Sequence, residues 1–265
     1  MIGTLWLVGC GNMAGAMLRG WIAAGLEPGR VTAIDPTGRG VPEGVRHRTA
    51  PPAGEPPAMV LLGVKPQLLD TVAPALAPSL GEGTILVSIL AGVERAALAQ
   101  RFPGVRTIIR VMPNTPAAIG RGVLALNSDR ADTAADAMVE RMMAELGLAE
   151  WIADEALMDA VTALSGSGPA FVFRFVEALA AGGAALGLPA DQALRLALAT
   201  VDGAAGLALA AEEAPGVLAD KVASAGGSTR KGLDVLDDGG ALADLVARTL
   251  AAAEQRNREL AAAAR

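Results

Sequence analysis

Short apolar runs, separated by Gly, Pro and polar residues, mark the first half of the chain. Runs of this kind predict buried β-strands, and they fall at residues 4–8, 31–34, 59–64, 84–89, 106–111 and 123–126. Apolar positions recur at helical spacing near residues 13–22, 68–76, 95–101 and 132–146, and a short strand is expected at 150–152. This alternation predicts a doubly wound, mostly parallel sheet with helices on both faces.

The pattern becomes purely helical beyond residue 155. Helices are predicted at residues 169–186, 190–211, 215–223, 229–236 and 241–264, separated by Gly, Pro and Ser signals. We therefore expect an α/β domain over residues 1–155 and an all-α domain over residues 156–265. The Pro- and Gly-rich residues 41–57 are expected to form a surface connection outside the sheet.

A glycine-rich turn follows the first predicted strand and opens the first predicted helix. It reads Gly9-Cys10-Gly11-Asn12-Met13-Ala14, which matches the G-x-G-x-x-(G/A) fingerprint of Rossmann-type dinucleotide binding. Gly9 permits the tight turn, Gly11 lets the backbone approach a pyrophosphate, and Ala14 lets the helix lie close to the sheet. The alternative is a glycine-rich turn that holds no ligand.

Asp35 ends the second predicted strand, about 20 residues after the turn, where a carboxylate accepts hydrogen bonds from the adenosine ribose. That position favours NADH, although Thr37 and Arg39 could accommodate the 2′-phosphate of NADPH if Asp35 points away. Asp35 could instead form a turn ahead of Pro36. The choice between NADH and NADPH stays open.

Composition narrows the chemistry further. The 265 residues include one Cys, one His and no Tyr, which excludes an internal disulfide and a structural zinc site and leaves only His47 for a catalytic triad. We interpret Cys10 as a space-filling residue and His47 as a solvated loop residue without a partner. A net charge of −6 disfavours nucleic-acid binding. The N-terminus lacks a basic region before its apolar run, and uncharged stretches are short, so we expect a cytoplasmic protein without a membrane span.

Small polar residues lie at the ends of several predicted elements. They include Val64-Lys65-Pro66, Asn114-Thr115 and the run 223–229 that reads Ala-Ser-Ala-Gly-Gly-Ser-Thr. Lys65 and Asn114 are expected to point toward the cofactor crevice, or else to be a solvated charge and an Asx-turn. The run 223–229 predicts a helix N-terminus that holds an anion, or simply a capped loop.

Together these motifs resemble the pyrroline-5-carboxylate reductase family over nearly the whole chain. The matching segments are GCGNMA at 9–14, VKP at 64–66, AGV at 91–93, RVMPNTP at 110–116, LSGSGPAF at 164–171 and DKVASAGGSTRKGLDVL at 220–236. One departure is Ala225, where the family usually has Pro. A second is the absence, between residues 48 and 57, of the Asn that many members place on the adenosine side.

The resemblance implies reduction of 1-pyrroline-5-carboxylate to L-proline by NADPH or NADH, the last step of proline biosynthesis, without a metal. It implies that Ser224, Gly226, Gly227 and Ser228 bind the substrate carboxylate and that Thr229 hydrogen-bonds the ring nitrogen as the catalytic residue. It also implies that the fingerprint residues line the cofactor. A second set of residues lines it as well, and this set consists of Val64, Lys65, Pro66, Ala91, Asn114 and Thr115.

The resemblance further implies an all-α dimerisation domain and assembly into at least a homodimer, in some members a decamer. A cluster of apolar residues on one predicted helix, Phe171, Phe173, Phe175 and Val176, favours a dimer independently. Two alternatives remain. A β-hydroxyacid dehydrogenase would need a helix-borne lysine, for which Lys221 and Lys231 are poorly placed, and a regulator that senses NAD(P)H would bind without turnover.

Overall fold

A computed structural model describes residues 3–263 of the chain. Eight strands form one sheet in the spatial order β3-β2-β1-β4-β5-β6-β7-β8. Their bounds are β1 Leu5–Val8, β2 Val31–Ile34, β3 Arg46–Arg48, β4 Met59–Leu62, β5 Ile85–Ser88, β6 Thr107–Met112, β7 Gly122–Asn127 and β8 Gly147–Trp151. All neighbouring pairs are parallel except β6 and β7. The doubly wound, mostly parallel sheet predicted from the sequence is confirmed.

Five helices accompany the strands. They are α1 Asn12–Ala23, α2 Leu69–Leu76, α3 Arg95–Arg101, α4 Thr133–Ala144 and α5 Met158–Val161. The central strands are buried on both faces, so their side chains divide into two apolar clusters. One cluster holds Met17 of α1 and Met143 of α4, and the other holds Leu69 of α2 and Leu98 of α3. Helices on both faces therefore cover the sheet, as a parallel sheet requires.

The prediction for residues 41–57 was wrong, because this segment contains β3. Thr32 of β2 pairs with Arg46, and Ile34 pairs with Arg48. An edge strand contacts the sheet through its backbone and needs few apolar side chains, so the sequence Arg-His-Arg carried no strand signal. The last strand also begins earlier than predicted, at Gly147.

The second half of the chain is helical, as predicted. A wide helical turn, Thr162–Gly166, leads into five helices: α6 Gly168–Ala185, α7 Ala190–Ala210, α8 Pro215–Val222, α9 Ser228–Asp237 and α10 Ala241–Ala263. The predicted end of the last helix, residue 264, lies outside the described residues.

The chain divides into two compact units. One comprises Met1–Ser167 together with Ala253–Arg265, and the other comprises Gly168–Ala252. The sequence placed the boundary after residue 155, whereas residues 156–167 and the end of α10 belong with the sheet. Side-chain hydrogen bonds account for this: Asn114 donates to the carbonyl of Ser165, and Asn257 donates to the carbonyl of Asp159.

Candidate cofactor and substrate sites

The glycine-rich turn joins β1 to α1, and at Gly9 it lies close against the residues that follow β4, while the space around Gly11 is open. Gly9 has a φ of +85°, and a Cβ there would lie 2.9 Å from the backbone of Gly63. A Cβ on Gly63 would in turn lie 2.6 Å from the Cβ of Ala14. The first helical hydrogen bond runs from the N–H of Gly15 to the carbonyl of Gly11. The preceding N–H groups therefore face outward from the helix N-terminus, where a pyrophosphate is favoured.

A crevice of about 910 Å³ opens at the carboxyl ends of the strands. The strand order reverses between β1 and β4, and this reversal is where open α/β sheets bind dinucleotides. Five predicted cofactor residues line the crevice: Gly9, Gly11, Asp35, Val64 and Lys65. Thr49 and Pro51 line it as well. Sequence reasoning missed these two because they follow β3, the strand that had no recognisable signal.

The Asp35 carboxylate accepts four hydrogen bonds from its own chain. Oδ2 accepts the N–H of Cys10 at 3.0 Å, while Oδ1 accepts the N–H and the hydroxyl of Thr37, each at 2.9 Å, and the N–H of Gly38 at 3.2 Å. Burial opposes ionisation, yet these hydrogen bonds outweigh it and hold the pKa of Asp35 below its usual value. Asp35 thus forms the expected turn and also presents an ionised group to the crevice.

Neither Cys10 nor His47 has the environment of a catalyst. Burial, and then the Asp35 carboxylate, raise the pKa of the Cys10 thiol above its usual value, so the thiol stays protonated at neutral pH. The interpretation of His47 as a solvated loop residue was wrong. It lies half-buried on β3, with Nε2 2.7 Å from the carbonyl of Asp35, and its ring packs beneath Gly38. The sequence analysis placed His47 in a loop because β3, the edge strand that carries it, has no apolar pattern.

Of the other predicted cofactor residues, Cys10, Asn12 and Met13 lie in the turn and at the start of α1, and the rest follow β4, β5 and β6. Pro66 and Ala91 line a second cavity of about 200 Å³ together with Asn257. Asn114 is buried, and its amide is used within the fold: Nδ2 donates to the carbonyl of Ser165 at 2.9 Å, and Oδ1 accepts the N–H of Val123 at 2.8 Å. The amide group therefore does not point into the crevice as expected, while Thr115 begins a short turn after β6.

The loop before α9 has the geometry of an anion site. The N–H of Gly227 donates to the carbonyl of Ser224 at 3.0 Å, and Gly226 between them has a φ of +71°. A Cβ on Gly227 would lie 2.5 Å from the Ser224 hydroxyl oxygen, so a larger residue there would displace that hydroxyl. The first helical hydrogen bond comes from Lys231 to Gly227. The N–H groups of Ser228 and Thr229 therefore precede it and face outward.

Acidic partners neutralise the basic residues around this loop. Arg230 contacts Asp220 at 2.5 Å, and this hydrogen bond raises the pKa of Arg230 further above its usual value. Lys221 contacts both carboxylate oxygens of Glu213, and Lys231 lies 3.4 Å from Asp234. An anion at this loop would therefore meet backbone N–H groups and hydroxyls. Both lysines are exposed and pair with carboxylates of the second unit.

Comparisons with known proteins agree with this arrangement. Residues 155–260 match the family model described as pyrroline-5-carboxylate reductase dimerisation, and residues 4–92 match one described as NADP oxidoreductase coenzyme F420-dependent. The pyrroline-5-carboxylate reductase of Pisum sativum is 39% identical, over 97% of this chain and 96% of that protein. The chain belongs to the pyrroline-5-carboxylate reductase family. This membership confirms the resemblance drawn from the motifs.

Solved structures of family members share the fold. The pyrroline-5-carboxylate reductase of Coxiella burnetii superposes with a TM-score of 0.90 at 31% identity, covering 98% of this chain and 99% of that one. The Plasmodium falciparum pyrroline carboxylate reductase, solved with NADP bound, has a TM-score of 0.83 at 25% identity and covers 97% and 98%. The likeness therefore extends over both units.

The dimerisation domain explains the apolar surface of the second unit. Phe173, Phe175, Leu196 and Leu198 on α6 and α7 are all about half exposed or more, which is unfavourable for a lone chain in water. Two helical stretches, Glu155–Ala185 and Ala190–Ala210, are long and apolar enough to cross a membrane by length and composition alone. Both lie in the region matched by the dimerisation model.

Proposed function

We propose that the chain reduces 1-pyrroline-5-carboxylate to L-proline with NADH or NADPH, the last step of proline biosynthesis. The observation that carries the proposal is the loop Ser224–Thr229, which combines a tight glycine turn, outward N–H groups and hydroxyls at the start of α9. A cyclic imine with a carboxylate needs an anion cradle and one hydrogen-bonding group beside it, and this loop supplies both.

In this proposal the cofactor supplies the hydride when bound. The N-terminus of α1 holds its pyrophosphate through the backbone around Gly11, and Asp35 accepts hydrogen bonds from the adenosine ribose. The residues after β4, β5 and β6 line the other half; they are Val64, Lys65, Pro66, Ala91 and Thr115, while the Asn114 amide holds Val123 and Ser165 beside them. None of these residues needs to be a nucleophile, which fits a chain without Tyr and with a single His.

The substrate carboxylate accepts hydrogen bonds from the N–H groups at the start of α9 and from the Ser224 and Ser228 hydroxyls. Gly227 contributes by its shape, because its own N–H already donates to Ser224. The Thr229 hydroxyl hydrogen-bonds the ring nitrogen as that atom changes from imine to amine, and solvent replaces the proton that the nitrogen takes up as the carbon receives the hydride. Such a bond strengthens during the reaction and therefore lowers the barrier.

We further propose a cytoplasmic homodimer that buries the apolar faces of α6 and α7, with larger assemblies such as a decamer built from dimers. A pairing of these faces would remove large side chains such as Phe173 from water. The acidic net charge is consistent with a small-molecule substrate rather than nucleic acid.

The test is an assay of purified protein with NADH and NADPH in parallel. We expect absorbance of the reduced nicotinamide to fall only when 1-pyrroline-5-carboxylate is added. Oxidation of 3-hydroxyacids in a parallel assay with NAD⁺ or NADP⁺ would support a β-hydroxyacid dehydrogenase instead. Cofactor binding by calorimetry without turnover of either substrate class would support a sensing regulator and contradict the proposal.

A further inference from the structure

The adenosine half and the nicotinamide half of the cofactor crevice lie beside different loops. Asp35 marks the adenosine side at the end of β2, so a dinucleotide that crosses the reversal in strand order places its nicotinamide beyond β4, β5 and β6. The loop after β5, residues 90–94, contains Ala91 and ends where α3 begins. Ala91 and Gly92 of this loop line the cavity of about 200 Å³ together with Gln67, and Gln67 also lines the crevice. The loop therefore lies on the side where the nicotinamide is expected.

A carboxylate from a distant part of the chain holds the end of this loop. Oε1 of Glu155 accepts the N–H of Arg95, the first residue of α3, at 2.8 Å. A side-chain oxygen on the N-terminal N–H groups of a helix acts as a cap. Glu155 thus caps α3 across a separation of 60 residues.

The same oxygen also binds a buried cation. Oε1 of Glu155 accepts from Nη1 of Arg110 at 2.8 Å, and the Arg110 side chain is only 5% exposed. Arg110 lies on β6, where it pairs with Ser88 of β5 and Asn127 of β7. A buried guanidinium cannot lose its proton, so it requires a fixed acceptor. Glu155 is therefore anchored by Arg110 and cannot shift without breaking that bond.

The opposite side of the loop is held by α10. Gly92 has a φ of +74°, and a Cβ there would lie 3.1 Å from the Cα of Ala261. Four residues earlier on α10, Asn257 donates to the carbonyl of Asp159 at 3.2 Å. The loop is thus confined on one side by the Glu155 carboxylate and on the other by a helix backbone.

We propose that Glu155 is a positioning residue for hydride transfer: through Arg95 it fixes the loop 90–94 against the nicotinamide half of the crevice. It acts by the reach of its Oε1 atom, to which both hydrogen bonds run, while Oε2 lies 3.4 Å from Nε of Arg95, and Glu155 does not line the crevice. The inference rests on the reductase function proposed above.

Two substitutions distinguish the effect of the position of the Glu155 oxygen from the effect of its negative charge. Glu155→Gln keeps an oxygen at the same distance and removes the charge. Glu155→Asp keeps the charge beside Arg110 and withdraws the oxygen by about 1.5 Å, one carbon–carbon bond. Asp70→Ala is the matched control, because Asp70 pairs with Arg101 at the other end of α3, at 2.6 Å. Each protein is assayed with 1-pyrroline-5-carboxylate and with NADH carrying deuterium at the transferred position.

We expect Glu155→Asp to lower kcat about 10-fold, with a larger deuterium isotope effect on kcat, because misplacement of a reacting group slows the chemical step. Glu155→Gln should stay within about 3-fold of the parent in kcat despite a lower Tm, and Asp70→Ala should match the parent in kcat and isotope effect. Amide hydrogen exchange of the free protein should accelerate over residues 90–95 in Glu155→Asp and not in Asp70→Ala.

The opposite order, with Glu155→Asp at parental kcat and Glu155→Gln impaired, would assign the role to charge and overturn the proposal. Unchanged exchange at residues 90–95 in Glu155→Asp would overturn it as well. If the Gln variant does not fold, the Asp variant decides by the same two measurements. A parent protein without imine-dependent turnover would contradict the reductase function, while the exchange data and the calorimetric Kd for NADH would still test whether Glu155 holds the loop.

Discussion

Thr229 is the residue on which the proposed chemistry depends most directly. It stands at the start of α9, after a turn whose N–H groups would hold the substrate carboxylate. Thr229→Val keeps the shape and removes the hydroxyl, so the hydrogen bond to the ring nitrogen is lost. We expect kcat/KM for 1-pyrroline-5-carboxylate to fall about 10–100-fold with little change in the Kd of the cofactor.

Ser224→Ala is the comparison for this variant. Carboxylate binding is similar before and after hydride transfer, so its loss should raise KM and leave kcat nearly unchanged. Full activity of Thr229→Val would show that water or another group serves the nitrogen, and the assignment of Thr229 would have to be withdrawn.

The Asp35 carboxylate is the group expected to decide between NADH and NADPH. The group is ionised and lines the crevice at the end of β2, so it would repel a 2′-phosphate and attract ribose hydroxyls. Asp35→Ser should lower kcat/KM for NADH, so the ratio of kcat/KM for NADPH to that for NADH should rise. An unchanged ratio would mean that the carboxylate serves only the turn with Cys10 and Thr37.

The lowered pKa of Asp35 also has a consequence for stability. A carboxyl group whose pKa is lower in the folded state stabilises the fold above its unfolded pKa, about 3.9, and this contribution disappears as the pH falls through the folded value. The difference in unfolding free energy between the parent and Asp35→Asn should therefore be full at pH 6 and shrink below about pH 4, as followed by urea unfolding. A difference independent of pH would contradict this.

At the scale of elements, the turn before α9 differs from the family pattern at one position. Ala225 occupies the second place of a turn closed by the hydrogen bond from Gly227 to Ser224, with Gly226 at positive φ in the third place. Proline is common at the second place of such a turn, since its ring fixes the φ that the turn needs. Ala225→Pro should raise the unfolding free energy by about 0.4–1 kcal/mol.

Thermal unfolding and substrate KM together test this change. A stiffer cradle should lower KM along with the rise in Tm. A lower Tm would mean that the backbone at Ala225 is incompatible with proline, and the family pattern could not then be restored by this substitution alone.

At the scale of the whole molecule, the apolar faces of the second unit predict association. Phe173 on α6 is 66% exposed in the single chain. Phe173→Glu should shift the protein from dimer toward monomer at micromolar concentration in light scattering, because a charge would be buried in the interface. Leu148→Glu is the control: Leu148 is also apolar and 59% exposed, but it lies on the edge strand β8 of the first unit. A parent protein that is monomeric at this concentration would overturn the dimer.

The sequence alone determined most of the sheet, its helices and the glycine-rich segments of both candidate sites, because their signals are local. Apolar runs marked six of the eight strands, and a seventh was expected at residues 150–152. Gly9 in the turn after β1 and Gly226 in the loop before α9 lie at positive φ, where glycine is favoured. Motif spacing then sufficed to indicate the family. These features need no knowledge of which distant residues meet.

Tertiary structure decided the features that depend on partners far apart in the chain. The edge strand β3 forms only because the backbone of β2 lies beside it, and His47 gains its partner there. The amide of Asn114 turns toward Val123 and Ser165, and Glu155 caps α3 while it pairs with Arg110. A polar side chain hydrogen-bonds whichever group the fold brings within about 3 Å, and no local pattern in the sequence specifies that partner.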